Sequence, residues 1–265
     1  MSYISDGDNS RIQAVIDNNV IPCLINMLNS GKGAIMTPAL RTLGNIVSGD
    51  DSQTQFVVNN NVLPALVPLL SNPKKNIRKE TCWMLSNIAA GSQDQLSMLM
   101  NTKDLIPRVL EQLSPSAEWD VRKEACWVIA NIATDGNRNN VIRIIEHGAI
   151  RPLCDLLDVE DVRTVMIAMD AIEAMLKTSG DIGRITQLIE EADGIDKLEE
   201  LQGHSSTKVY EKAVHILETY FGAEEESENI APQVTPGTNS FSFGIQVRYH
   251  LFFITITLIL SSSYY

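Results

Sequence analysis

Basic residues are in short supply in this 265-residue chain: 21 Lys and Arg stand against 33 Asp and Glu, a formal net charge of −12. A protein that neutralises phosphates normally carries a clustered basic excess, so nucleic acid is not expected as a partner. A negative surface instead steers Lys/Arg-rich ligands toward itself. Cysteine is equally sparse. Cys23, Cys82, Cys126 and Cys154 lie far apart, form no CxxC pair and each sit in an apolar segment. They read as buried small hydrophobes in a reducing compartment, not as disulfides or zinc ligands. His147, His204, His215 and His250 show no metal-ligand spacing, so no metal or other cofactor is expected. No GxSxG, P-loop or Cys/His pairing around a Gly-rich turn is present, and an enzyme is not expected. The opening MSYISDGDNS lacks the basic and apolar regions of a secretory signal. The uninterrupted apolar-or-Thr run from Leu251 to Leu260 has ten residues, about half of the roughly 20 that span a bilayer as a helix. Its β-branched and aromatic content suits a sticky strand better, so no membrane association is expected.

What is there is repetition. Residues 78–89 read RKETCWMLSNIA and residues 122–133 read RKEACWVIANIA, identical at eight of twelve positions and 44 residues apart. Pro22, Pro64, Pro107 and Pro152 recur at spacings of 42, 43 and 45, each opening an apolar run. A further copy, GIDKLEEL at 194–201, has Lys197 at the proline position. Such a period fits helical solenoid repeats or propeller blades. Cys82, Leu85, Ile88 and Ala89 recur at spacings of 3, 3 and 1, and Val209, Ala213, Ile216, Leu217 and Tyr220 share one helical face, so the pattern is helical and not alternating. No Asn-Gly or Asp-Gly turn separates alternating strands. Asp6-Gly7, Asp135-Gly136 and Asp193-Gly194 follow helical runs, where glycine is expected to end a helix, and Pro38 and the repeat prolines are expected in first helical turns. The reading is an all-α solenoid over 1–222, an acidic, Pro/Gly/Ser-rich disordered tail over 223–244, and an atypical apolar terminus over 245–265.

Glu80, Trp83 and Asn87 stack on one helix face at spacings of 3 and 4, and Glu124, Trp127 and Asn131 repeat them one unit later. Arg41 and Asn45 hold the Trp and Asn positions one unit earlier, and Tyr3 the Asn position before that. The core set is rotated away from this one. An Asn side chain can donate to a backbone carbonyl and accept from a backbone N–H, fixing an extended chain without reading its side chains. Stacked Trp rings leave a slot for the stem of Lys or Arg, with cation–π attraction of about 0.5–2 kcal/mol per contact. Glu80 and Glu124 can meet the charged heads. Helices about 8–10 Å apart and a chain advancing about 3.3 Å per residue set roughly three ligand residues per rung. An aligned face of this kind is how solenoids hold partners.

At these residues the sequence resembles the armadillo-repeat domain of the importin α family, adaptors for nuclear localisation signals. YISDG at 3–7, QAVID at 13–17, PALRTLGNIVSGDDSQTQ at 38–55, the two RKExCWxxxNIA blocks and YEKAVHILETYFG at 210–222 carry the resemblance, which covers about 1–244. It implies a right-handed α-solenoid of about five armadillo repeats of 42–45 residues, from the end of the family's fifth repeat through its tenth. It also implies a minor signal-binding site at Trp83, Asn87, Trp127, Asn131 and Glu124, preceded by Arg41 and Asn45, with Val47, Thr54 and Ser86 as further contacts. Glu224, Glu225 and Glu226 echo the acidic tail through which the family's last repeats meet the export receptor.

Departures qualify the resemblance. The basic segment that binds importin β has no counterpart, so that partner is not expected, and the repeats of the major signal site are missing. Asp170 and Ala174 stand where Trp and Asn would continue the ladder. The resulting expectation is a peptide-binding half of an import adaptor, found in cytoplasm and nucleus, that takes Lys/Arg-rich localisation signals in extended form. The alternative is a truncated scaffold that engages the export receptor or sequesters cargo without supporting import.

Overall fold

The computed structural model describes residues 2–222, together with the backbone of 233–234 and 241–242. A short helix α1 (Ser2–Ser5) precedes five three-helix units: α2 (Asn9–Asp17), α3 (Ile21–Leu28), α4 (Gly33–Ile46); α5 (Asp51–Asn59), α6 (Val62–Leu66), α7 (Lys75–Ala89); α8 (Gln93–Asn101), α9 (Leu105–Leu113), α10 (Trp119–Asp135); α11 (Arg138–Glu146), α12 (Ile150–Cys154), α13 (Val162–Thr178); and α14 (Ile182–Glu190), α15 (Gly194–Leu201), α16 (Thr207–Tyr220). A 3-10 turn, Val67–Ser71, extends α6. The third helices pack in succession, α4 on α7, α7 on α10, α10 on α13 and α13 on α16. Each unit thus buries its apolar stripe against its neighbours in the chain, which defines a solenoid.

The remaining expectations fall on the other unit, residues 221–265. Its described part is one antiparallel pairing, β1 (Gln233–Val234) with β2 (Phe241–Ser242), Gln233 opposite Ser242. The readings of a disordered tail over 223–244, of Glu224, Glu225 and Glu226, and of the apolar run Leu251–Leu260 otherwise lie outside the described residues. Among the described residues no helix is long and apolar enough to cross a membrane.

Hydrogen bonds between units reproduce the repeat spacing. Asp50 and Ser92 cap α5 and α8 in capping boxes with Gln53 and Gln95, which satisfies helix-end donors at both ends of the box. The same Gln side chains reach back one unit: Gln53 Nε2 donates to Asn9 O at 2.9 Å and Gln95 Nε2 to Asp51 O at 2.8 Å. Where proline gives way to Lys197, its Nζ donates to Cys154 O at 3.2 Å and pairs with Asp155 and Asp158. The anticipated core residues Cys82, Leu85, Ile88 and Ala89 are fully buried.

Three local expectations need correction. The left-handed residue at the corner before each second helix is Asn19, Asn61, Asp104, Gly148 or Asp193, so four of the five units use Asn or Asp, which tolerate this region through their short polar side chains. Asp193-Gly194 therefore does not end a helix on its glycine. Gly194 opens α15, where a Cβ would lie 2.7 Å from Cys154 Sγ and 2.9 Å from Ile189 O. Pro38 lies inside α4, not in its first turn, because α4 starts at Gly33; the missing N–H leaves one carbonyl of the preceding turn unpaired. Cys23 is exposed, on the outer side of α3 between buried Ile21 and Leu24. The other three cysteines are buried, and burial pushes the thiols of Cys126 and Cys154 up to about 12.

Candidate functional site

The ladder residues come from the third helices α4, α7 and α10. Within each helix the 3.6-residue period turns Cys82, Leu85 and Ile88 into the core and leaves Trp83 and Asn87 half-exposed together; Glu124, Trp127 and Asn131 are half-exposed in the next unit. Trp83 fits against α4 because position 44 is glycine: a Cβ there would lie 2.4 Å from Trp83 Cζ3. Ser86 and Ala130 occupy the corresponding places in α7 and α10, so small residues line the seats of the ladder side chains.

The asparagines do two jobs. Asn131 Nδ2 donates to Ser86 O at 2.9 Å, and Asn45 Nδ2 donates to Ser2 O at 3.0 Å and Ser5 Oγ at 3.2 Å. Each stitches its unit to the previous one; Asn131 spends one amide hydrogen on this and Asn45 donates twice. Asn87 departs from this pattern: its Nδ2 is buried and makes no hydrogen bond. A buried donor without a partner carries about 1–3 kcal/mol of desolvation penalty.

The two ladder glutamates differ sharply. Arg41 donates through Nε and a terminal nitrogen to both carboxylate oxygens of Glu80, whose side chain is 9% exposed. Its hydrogen bonds to Glu80 hold the Arg41 guanidinium above its usual range. The expectation of Glu80 as a free acceptor for a ligand is therefore corrected: a guanidinium in the Trp position reaches forward and takes it. Glu124 forms no hydrogen bond or ion pair among the described residues. Burial pushes its carboxyl above the ordinary carboxylate range, against the opposing pull of Lys79, Lys123 and Arg163 and with the like charge of Glu80 adding to the rise.

The further contacts implied by resemblance lie behind the face. Val47 and Thr54 are buried, and Thr54 Oγ1 donates to Val47 O at 3.2 Å. Ser86 is buried and donates to Trp83 O at 2.8 Å. Asn45 is likewise buried. Their side chains shape the groove wall, and the surface presented to solvent comes from Arg41, Trp83, Asn87, Glu124, Trp127 and Asn131.

Beyond Trp127 the ladder gives way to ions. Asp170 pairs with Lys212 at 2.6 Å. Glu173, 6% exposed, accepts from Lys212, Lys177 at 2.6 Å and His215 at 3.0 Å. Burial alone would raise the Glu173 carboxyl, but the two ammonium groups outweigh it and hold it at about 2. The one sign of this network in the ladder register is Asp170 standing at the Trp position.

Comparison with known proteins agrees with this geometry. The armadillo/beta-catenin-like repeat family matches residues 8–48 and 50–90, and the atypical arm repeat family residues 184–233. The chain is 42% identical over 254 residues to importin subunit alpha-1b of Oryza sativa subsp. japonica, covering 93% of this chain and 47% of that protein. It is 47% identical over 254 residues to importin subunit alpha-B of Dictyostelium discoideum, covering 94% and 48%. The chain thus spans about half the length of these curated relatives. Among solved structures, a designed armadillo repeat protein in complex with the peptide (KR)4 matches with a TM-score of 0.75 and 32% identity, covering 83% of this chain and 89% of that one. With its Trp/Asn ladder and five three-helix units, the chain belongs to the armadillo-repeat family, as a relative of the importin α subunits.

Proposed function

We propose that this chain is a non-catalytic module that binds Lys/Arg-rich peptides in extended form, as the signal-reading part of a nuclear-import adaptor moving between cytoplasm and nucleus. The observation that carries the reading is an uncompensated carboxylate on the face that bears the Trp and Asn ladder. Glu124 carries a partly buried carboxylate without a hydrogen bond or ion pair among the described residues, and the half-exposed Asn87 and Asn131 stand on the same face. The rings of Trp83 and Trp127 on that face are half-exposed. A Lys or Arg head meets the Glu124 carboxylate, the rings take the aliphatic stem, and the half-exposed Asn side chains meet the peptide backbone. The likeness to importin α subunits and to an armadillo protein solved with (KR)4 supports the same ligand chemistry.

Calorimetric titration tests it. A labelled Lys/Arg-rich peptide should bind, its Glu/Asp counterpart should not, and the Asn87→Ala/Glu124→Gln variant should lose about ten-fold or more in affinity, given about 1.5–3 kcal/mol for a charge-assisted hydrogen bond. Equal affinity for the two peptides, or no loss in the variant, contradicts the proposal.

A further inference from the structure

Three tryptophans occur in the chain, and the cations around them are unevenly shared. Trp119 has Arg122 and Lys123 over its ring, at 5.8 and 5.6 Å from the centroid. Trp127 has the guanidinium carbon of Arg163 at 5.2 Å. Among the described residues no cation lies over Trp83. Arg163 belongs to α13, the unit after Trp127. It stands seven residues before Asp170, the position at which the ladder Trp is lost. Two helical turns bring residues seven apart onto one face, so Arg163 rises on the ladder side of α13. The corresponding residues in the preceding units are Asn76 and Asp120; the cation occurs in the unit that has no ring of its own.

We infer that Arg163 is a resident occupant of the ladder. Its guanidinium covers the face of Trp127 that would otherwise take one more basic side chain of a bound peptide. The groove therefore reads a shorter basic cluster than its repeat register allows. Asp170, held by Lys212 at 2.6 Å, and Ala174 offer no competing wall on that side. This inference rests on the proposed peptide-binding role.

Two fluorescent peptides separate the possibilities: one with Lys-Lys-Arg-Lys between Gly-Ser flanks, the other with an added Lys three residues beyond each end of that cluster. The wild type should bind both with similar affinity. Arg163→Ala and Arg163→Gln should strengthen binding of the longer peptide by about two- to five-fold relative to the shorter, the worth of one exposed cation–π contact. In a Trp127→Ala background that relative gain should vanish. A gain that survives in that background reflects removal of a positive charge and overturns the inference. So does an equal change for both peptides, or a loss for the longer one. Failure of the wild type to bind either peptide would overturn the peptide-binding reading itself.

Discussion

Glu124 and Gly44 are the positions at which one atom decides what the groove can do. Because burial lifts the Glu124 carboxyl above its ordinary value near 4.5, its charged form is disfavoured in the fold. Its cost to stability is present above the raised value and disappears as pH falls through it toward the ordinary one. Peptide affinity should move the opposite way, weakening over that same mildly acidic window as the carboxylate is protonated. Glu124→Gln should remove the pH dependence of binding, weaken binding at neutral pH and leave thermal stability unchanged or higher. A pH series of binding and melting curves on both proteins checks all three. At Gly44 an added Cβ meets the Trp83 ring at 2.4 Å. The ring must swing away, while alanine gains about 1 kcal/mol of helix propensity. Gly44→Ala should thus bind peptide markedly worse without a loss of Tm, a combination that simple misfolding would not produce.

At the level of helices, much was legible and the reasons differ from helix to helix. The stripe Cys82, Leu85, Ile88 and Ala89 is a period, and periods survive any context, so the core of α7 was readable directly. The pairing of Arg41 with Glu80 was not, because it depends on two helices from different units reaching one another across 39 residues. The burial of Val47, Thr54 and Ser86 escaped for the same reason: resemblance carries positions, but the packing around them fixes which atoms see solvent. The left-handed Asn and Asp corners were not legible from glycine positions, since a short polar side chain also serves there. Two predictions belong here. Glu173 ties α13 to α16 through Lys212 and His215 and to the next turn through Lys177. Glu173→Ala removes the shared acceptor, leaves Lys212 with Asp170, and should cost about 1–3 kcal/mol at neutral pH. The Glu173 contribution is present above the ordinary carboxylate value and lost as pH falls toward about 2, so urea midpoints of wild type and variant should converge on acidification. Gln95→Ala removes both a capping-box bond and the bond to Asp51 O, and should lower stability by about 1–3 kcal/mol, read in the same titration.

For the whole molecule, 33 acidic against 21 basic side chains should steer a basic peptide toward the proposed groove from beyond contact distance. Since the Debye length is about 10 Å at 0.1 M salt, association should slow as salt rises, and dissociation, set by the ladder contacts, should change less. The ladder repeats a rung every 42 to 44 residues, from Asn45 through Asn87 to Asn131, and closes where Asp170 and Glu173 form ion pairs. The most direct measurement is an anisotropy titration of a labelled Lys/Arg-rich peptide against the wild type and the Trp83→Ala/Trp127→Ala double variant at two salt concentrations. Salt-sensitive binding by the wild type that the double variant abolishes, with its helical spectrum retained, is the predicted result. Undiminished binding by the double variant, or none by a folded wild type, would contradict the ladder as the working surface.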